Sequence, residues 1–395
     1  MVAAWSGALL EWEAELGSLK ARIGAAFKRS EGREIGGAFI DGLLSGVERK
    51  TGWLMAEQAG LERPYRVQSL LGRSLWSEDA LRDIVRGYVF EALGDADGVL
   101  VVDETGFVKK GDHSAGVSRQ YSGAAGRIEN SQIGVFLAYA SRFGQALIDR
   151  RLYLPEAWAK DAPRRAKAHV PEAIAFATKI EIARDLIASA LDAGARCRFV
   201  LADALYGGDS QLRRMLEARR QPYVLAVRSN QTLRMITEEG FVQTDPKAIA
   251  ENLAPSAWTI LAAGEGSKGL RLYDWARYPL PWTVDEGFER WILIRRNRKD
   301  ASECAYYFAF APKGTSLAEL AGAAGLRWTI EECFERGKSD LGLDHCEARS
   351  WRGWHRHMTL VMAAAAFLAK LTADLRRASA SSKANERSPN EKAVA

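Results

Sequence analysis

GVLVVDETG (98–106) and CRFVLADALYG (197–207) are two short apolar runs, each ending in a lone aspartate, Asp103 and Asp203. Runs of this length without polar alternation suit strands buried on both faces. Between them, SQIGVFLAYAS (131–141) and QALIDRRLYLP (145–155) read as two more strands joined by a tight turn at Arg142, Phe143 and Gly144. A helix is expected over about 172–193, where Ile174, Ala177, Ile180, Ala183, Leu186 and Ile187 recur at helical spacing. After the second aspartate, a helix over about 209–219 leads to a fifth strand, PYVLAVRSN (222–230).

The order is three strands, helix, strand, helix, strand. It matches the α/β class with a ribonuclease-H-like mixed sheet and flanking helices. The crossover between the first strand and the strand at 197–202 allows the two to lie parallel and adjacent. Asp103 and Asp203 would then sit side by side at the carboxyl edge, where open α/β sheets bind ligands. Paired carboxylates repel, and a shared divalent cation is a reason to tolerate that cost. Solvation of two strand ends is the competing reading, because turns favour aspartate. Hard oxygen ligands suit magnesium or manganese over zinc.

The remaining chain frames this core. Residues 1–95 read as helical, and MAEQAGLERPYRVQSLLGR (55–73) suggests two short helices meeting at Gly60. Arginines on the second helix are compatible with a DNA-binding helix-turn-helix, and equally with an ordinary helical hairpin. The first part of the core spans 96–230. Residues 231–320 form a β-rich inserted subdomain, with WTILAAGEGSKGLRLYDW, RWILIRRNR and CAYYFAFAPKG as its strands. A helix is expected to begin near Ser316 and a long one near Arg327, and the C-terminal helices of the core span 321–375. The polar tail 376–395 is expected to be disordered.

Composition narrows the classes. The chain has 395 residues, 47% hydrophobic, and a net charge of +5, enough to suit a nucleic-acid partner without establishing one. Four scattered cysteines lack C-x-x-C spacing, which argues against a zinc cluster or a disulfide framework. The opening MVAAWSGALLEWEAEL carries acids where a signal peptide needs basic residues. The longest apolar stretch, Met358 to Leu371, is too short to span a bilayer and reads as a core helix. A soluble, cytoplasmic protein with no membrane partner is expected.

A third chemical element lies in RWTIEECFERGKSDLGL (327–343). Ile330, Phe334 and Leu341 mark a buried helix face, and Arg327, Glu331 and Lys338 form a stripe beside it. Such a stripe is either a solvated helix face or an acid placed as a third metal ligand, flanked by phosphate-binding cations.

On these three motifs the chain resembles the DDE transposases of bacterial insertion sequences, in the branch with a β-stranded insertion. VVDETGF resembles the first-aspartate segment and LADALYG the second. RWTIEECFERGK matches Y-x2-R-x3-E-x6-K at Arg327, Glu331 and Lys338, and departs from it at Ala324, where the pattern has tyrosine. The resemblance runs from about residue 40 to 370. It implies a catalytic triad of Asp103, Asp203 and Glu331 holding two Mg2+ or Mn2+ ions, with Glu331 preferred to Glu332 on spacing. It also implies in-line attack on phosphodiesters with no covalent protein–DNA intermediate. The implied partner is double-stranded DNA, as element ends and as target, bound by a homodimer or larger assembly associated with the nucleoid. Two other readings stay open: a DNA-binding regulator that no longer cuts, which would be expected to lack one acid, and a nuclease that hydrolyses without joining.

Further DNA contacts are expected from KKGDHSAGVSRQYSGAAGRIEN (109–130), through Lys109, Lys110, Arg119 and Arg127, unless this is a solvated hairpin tip. SWRGWHRHM (350–358) mixes tryptophans with basic residues, as a DNA clamp or as the anchored start of a core helix. Its histidines, with His345, lack partners at zinc-ligand spacing. Trp258, Trp275, Trp282 and Trp291 of the insertion either stack on an extruded base or fill a core.

Overall fold

The computed structural model describes residues 2–123, 126–237, 240–266, 269–282 and 285–387. Along the chain, five helices come first: α1 (Val2–Gly24), α2 (Ser30–Leu44), α3 (Gly52–Gln58), α4 (Tyr65–Gly72) and α5 (Glu78–Leu93). Strands β1 (Val99–Val108), β2 (Ser118–Ser122), β3 (Arg127–Ser141) and β4 (Gly144–Leu152) follow, then α6 (Glu156–Lys160), α7 (Ala162–Lys167) and α8 (Lys179–Asp192). Next come β5 (Phe199–Ala202), α9 (Ala204–Gly207), α10 (Ser210–Ala218), β6 (Tyr223–Val227), β7 (Leu233–Thr237), β8 (Gly240–Thr244) and α11 (Pro246–Asn252). The chain ends with β9 (Thr259–Gly266), β10 (Gly269–Pro279), β11 (Phe288–Arg296), β12 (Cys304–Pro312), α12 (Leu317–Leu326), α13 (Thr329–Ser339) and α14 (Trp351–Arg387). The architecture is mixed α/β, with a large mixed sheet, flanking helices and an N-terminal helical region, consistent with the ribonuclease-H-like expectation.

Two compact units divide the chain: Met1–Gly94 with Glu104–Thr178 and Glu331–Ala395, and Asp95–Asp103 with Lys179–Ile330. In the second unit the strand order is β1, β5, β6, β12, β11, β10, β9. β1 pairs with β5, and β5 with β6, in parallel; the four beyond are antiparallel. All four residues of β5 are buried, as a central parallel strand requires. The β-rich stretch read as an insertion thus contributes β9–β12 to this sheet, through the pairing of β12 with β6. β7 and β8 form a separate hairpin. α12 opens with a capping box between Ser316 and Glu319 and packs on β9, β5 and β6.

The first unit is organised by α14. Its Met358, Leu360, Val361, Met362 and Ala363 are buried, and it packs on α5, β4, α2 and α4. Its apolar run, Trp351–Ser379, is long enough by length and composition to cross a membrane, but over half of it is buried inside the protein. Trp351, Trp354, His355, Arg356 and His357 are all buried, so the open question over 350–358 falls to the core anchor. Arg356 gives its guanidinium to the carbonyls of Leu70, Leu71, Gly72, Ser74 and Trp76, closing the end of α4. Gly60, at φ 68°, takes the left-handed turn between α3 and α4 that its position suggested.

Three expectations shift. Residues 172–178 are turn and coil, and the helix begins at Lys179. The glycine-rich stretch after β1 contains β2, hairpinned to β3. The tail is helical to Arg387, because Arg376 to Arg387 hold no proline or glycine to stop α14; residues 388–395 lie outside the described residues.

A buried ion cluster holds this unit together. Asp149 on β4 is fully buried and takes Arg82 Nη1 at 2.7 and 2.8 Å on its two oxygens, with Arg86 at 3.7 Å and Arg150 at 3.6 Å. Removing the acid would leave clustered cations uncompensated. Asp149→Ala should therefore cost about 3–5 kcal/mol in chemical denaturation. Burial also pushes His355 down to about 3 and His357 down to about 4, against a usual value of 6.5. The folded state keeps both neutral while the unfolded chain protonates below 6.5, so stability is lost as pH falls from 6.5 towards 4. Thermal unfolding should show a loss of up to about 1.4 kcal/mol per pH unit for each histidine in that window. His355→Gln with His357→Gln should flatten the dependence.

Candidate active site

β1 and β5 run parallel in the register Val99↔Phe199, Leu100↔Val200, Val101↔Leu201, Val102↔Ala202. Asp103 follows on β1 and Asp203 comes immediately after the end of β5, so the register leads both acids to the carboxyl end of β5. Both are half-buried. Asp203 is also the N-cap of α9, its Oδ1 accepting from the backbone N–H of Leu205 at 2.8 Å and of Tyr206 at 3.4 Å. That cap fixes the direction of the carboxylate. Asp103 has Arg327 Nη1 3.7 Å from its Oδ2, which offsets the repulsion between the two acids.

Close packing of α9 depends on Gly207. A Cβ there would stand 2.0 Å from the carbonyl oxygen of Ala226 on β6. The LADALYG segment thus needs glycine at its end to lay the Asp203 turn against the neighbouring strand.

The other candidates are distributed as follows. Glu331 lies in the first turn of α13, half-buried, in the first unit. Its neighbour Glu332 accepts from Gln145 Nε2 at 2.5 Å, which commits that carboxylate towards β4. Lys338 donates to Thr105 Oγ1 at 2.8 Å, two residues past Asp103 on β1, and burial lowers its pKa. Lys109 donates to the carbonyl of Cys346 at 2.6 Å, so its ammonium is tied into the fold. Lys110 and Arg119 are exposed, and exposed Arg127 pairs with Glu129 at 2.7 Å. Trp275 and Trp291 are core residues; Trp282 donates to the carbonyl of Arg234, and Trp258 carries Arg296 over its ring at 3.9 Å.

Asp103 and Asp203 fit a hard divalent cation by donor type and by their shared edge. Among the described residues no group of three or more His, Cys, Asp or Glu side chains stands ready to hold a metal, so the aspartate pair is what the structure gathers. Sequence reasoning passed over Trp328, 50% exposed between Arg327 and the start of α13. An aromatic beside a motif arginine, outside the apolar stripe of Ile330 and Phe334, was the signal available.

Gly207→Ala should destabilise the protein by about 1–3 kcal/mol in denaturant unfolding, because a backbone carbonyl cannot move aside cheaply. Gly111→Ala, at a glycine with open space around its Cβ position, should be near neutral in the same measurement.

Residues 22–250 match the family described as DDE superfamily endonuclease, and residues 175–368 match the transposase DDE domain. The first stretch contains Asp103 and Asp203; the second contains Asp203, Arg327, Glu331 and Lys338. The chain is also 28% identical over 199 residues to a protein of Microchaete diplosiphon named as a probable transposase for insertion sequence element IS701. That similarity covers 50% of this chain and 50% of the relative, so the chain spans about half the length of the protein it matches. With more than half of its residues inside the first match, the chain belongs to the DDE superfamily endonucleases.

Proposed function

We propose that this protein is an insertion-sequence transposase, which cuts DNA at the ends of the element and joins the freed end to a target. The observation that supports the reading is the β1–β5 register, which ends one residue before Asp103 and Asp203, in a chain of the DDE superfamily. Asp103, Asp203 and Glu331 are the proposed ligands of two Mg2+ or Mn2+ ions. Glu331 is chosen for its spacing from Arg327 and Lys338, and because Glu332 is committed to Gln145. When bound, such ions supply Lewis-acid polarisation of the phosphodiester and a more acidic attacking hydroxyl.

The protein's own groups have separate tasks. Asp203, held by two backbone N–H groups, presents its carboxylate in one fixed direction. Arg327 and Lys338 meet β1 at Asp103 and Thr105 and are proposed to orient the phosphates of the reacting strand. Lys110, Arg119 and Arg127, with Lys109 holding the base of their loop, are proposed to follow the duplex without reading its sequence. The partner is double-stranded DNA, as element ends and as target, bound by a homodimer or larger assembly in the cytoplasm.

Incubating the protein with end-containing DNA in magnesium tests this. Asp103→Ala, Asp203→Ala and Glu331→Ala should each lower cleavage at least about a thousandfold while leaving DNA affinity within a few-fold. Undiminished cleavage by Asp203→Ala would remove the reading's basis. Nicks without joined product would make the protein a hydrolytic nuclease instead.

A further inference from the structure

Lys28, Arg29, Arg66 and Arg73 converge on one cleft of about 720 Å3 in the N-terminal helical region. Phe27 and Trp76 line it; their rings lie 5.0 Å apart and their backbones form an antiparallel bridge. That bridge draws the entry to α2 against the exit from α4, bringing two distant basic pairs to one opening. The carbonyls at the end of α4 are already taken by Arg356, so the cleft arginines are not needed to cap that helix.

Charge is poorly balanced there. Glu31 is the one acid among the lining residues, against four cations. Arg66 has an exposed pair with Glu34 at 3.1 Å. Lys28, Arg29 and Arg73 are exposed, and among the described residues they have no side-chain hydrogen bond or ion pair. Cations gathered this way repel one another, and an anion is the ligand that relieves them. α2 begins beside them without a side-chain cap at Arg29, which adds backbone N–H groups of the same preference.

We propose that this cleft binds the sugar–phosphate backbone of DNA, with phosphodiesters seated between Lys28–Arg29 on one wall and Arg66–Arg73 on the other. The proposal rests on the reading that the chain acts on DNA, and gives it a contact made by residues other than the aspartate pair. Cations on two facing walls suit a run of successive phosphates better than one compact ion. Exposed Leu75 also lines the cleft and offers an apolar contact to the sugars. No base edge is read, so the contact sets affinity and register without setting sequence preference.

Fluorescence anisotropy of the full-length protein with a duplex, in EDTA across a salt series, tests the site. Arg29→Ala with Arg73→Ala should weaken binding about tenfold near physiological salt, and should make the slope of log affinity against log salt shallower by about 2. Lys28→Gln alone, at an exposed position, should shift the slope by about 1. Lys160→Ala with Lys167→Ala removes equal charge from α6 and α7, outside the cleft, and should keep the wild-type slope. An unchanged slope in the cleft variants, or an equal change in the control, overturns the proposal. Displacement of the duplex by micromolar deoxyadenosine monophosphate or inorganic phosphate overturns it in favour of a small phosphate ligand. Because EDTA suppresses cleavage, a protein that binds in this way but never cuts in magnesium overturns the preceding function and leaves the cleft standing.

Discussion

The parallel pairing of β1 with β5 is the constraint on which the site depends. Four consecutive residue pairs, all buried, fix the register from Val99↔Phe199 to Val102↔Ala202. A slip of one residue would turn every side chain of the strand to the opposite face. Core packing therefore sets the positions of Asp103 and Asp203 before any ligand does. Two carboxylates on neighbouring strands, about 5 Å apart, repel by about 3 kcal/mol at an effective dielectric near 20. Arg327 beside Asp103 offsets part of that cost, and burial of the apolar strand residues carries the remainder.

The N-terminal helices are built on the same support as part of the core. α14 packs on α2, α4 and α5 and also on β4, so one helix serves both regions of the first unit. Its Arg356 is fully buried, and five carbonyls around the end of α4 accept from its Nη1 and Nη2 while Glu78 stands 3.5 Å from its Nε. The Arg82–Asp149 pair does the same between α5 and β4. The consequence is that the helices bearing the basic cleft, α2 and α4, pack on the same helix as β4.

What the sequence disclosed follows from how far each signal extends. VLVV and FVLA were legible as strands because central parallel strands are apolar on both faces, and their terminal aspartates were legible with them. The β3–β4 hairpin announced itself through a two-sided apolar pattern and a tight turn. β2 was hidden, since SRQYS alternates over only five residues inside a glycine-rich stretch. The joining of β9–β12 to the sheet was hidden for another reason: β12 pairs with β6 across a long sequence separation, and local pattern carries no information on such pairing. Likewise, nothing in SWRGWHRHM distinguishes an arginine facing DNA from one facing the spent end of a helix. The basic cleft is the clearest case, because its two halves, at 28–29 and 66–73, are far apart in the sequence and meet through tertiary contacts such as Phe27–Trp76.

The cations expected to meet DNA separate into two physical kinds. Lys338 and Lys109 are tethered, one to Thr105 Oγ1 and one to the Cys346 carbonyl, and have already lost much of their rotamer freedom in the fold. Lys110, Arg119 and the cleft's Lys28, Arg29 and Arg73 are exposed and retain that freedom. A tethered ammonium adds little to overall affinity, because its charge is partly spent, but it can hold a phosphate in one geometry at small entropic cost. Exposed cations do the reverse: they attract a duplex from a distance and tolerate many geometries. Lys338, on α13, reaches β1 at Thr105, two residues from Asp103, while the exposed kind stands at Lys110, at Arg119 and in the cleft. Burial around Lys338 lowers its pKa.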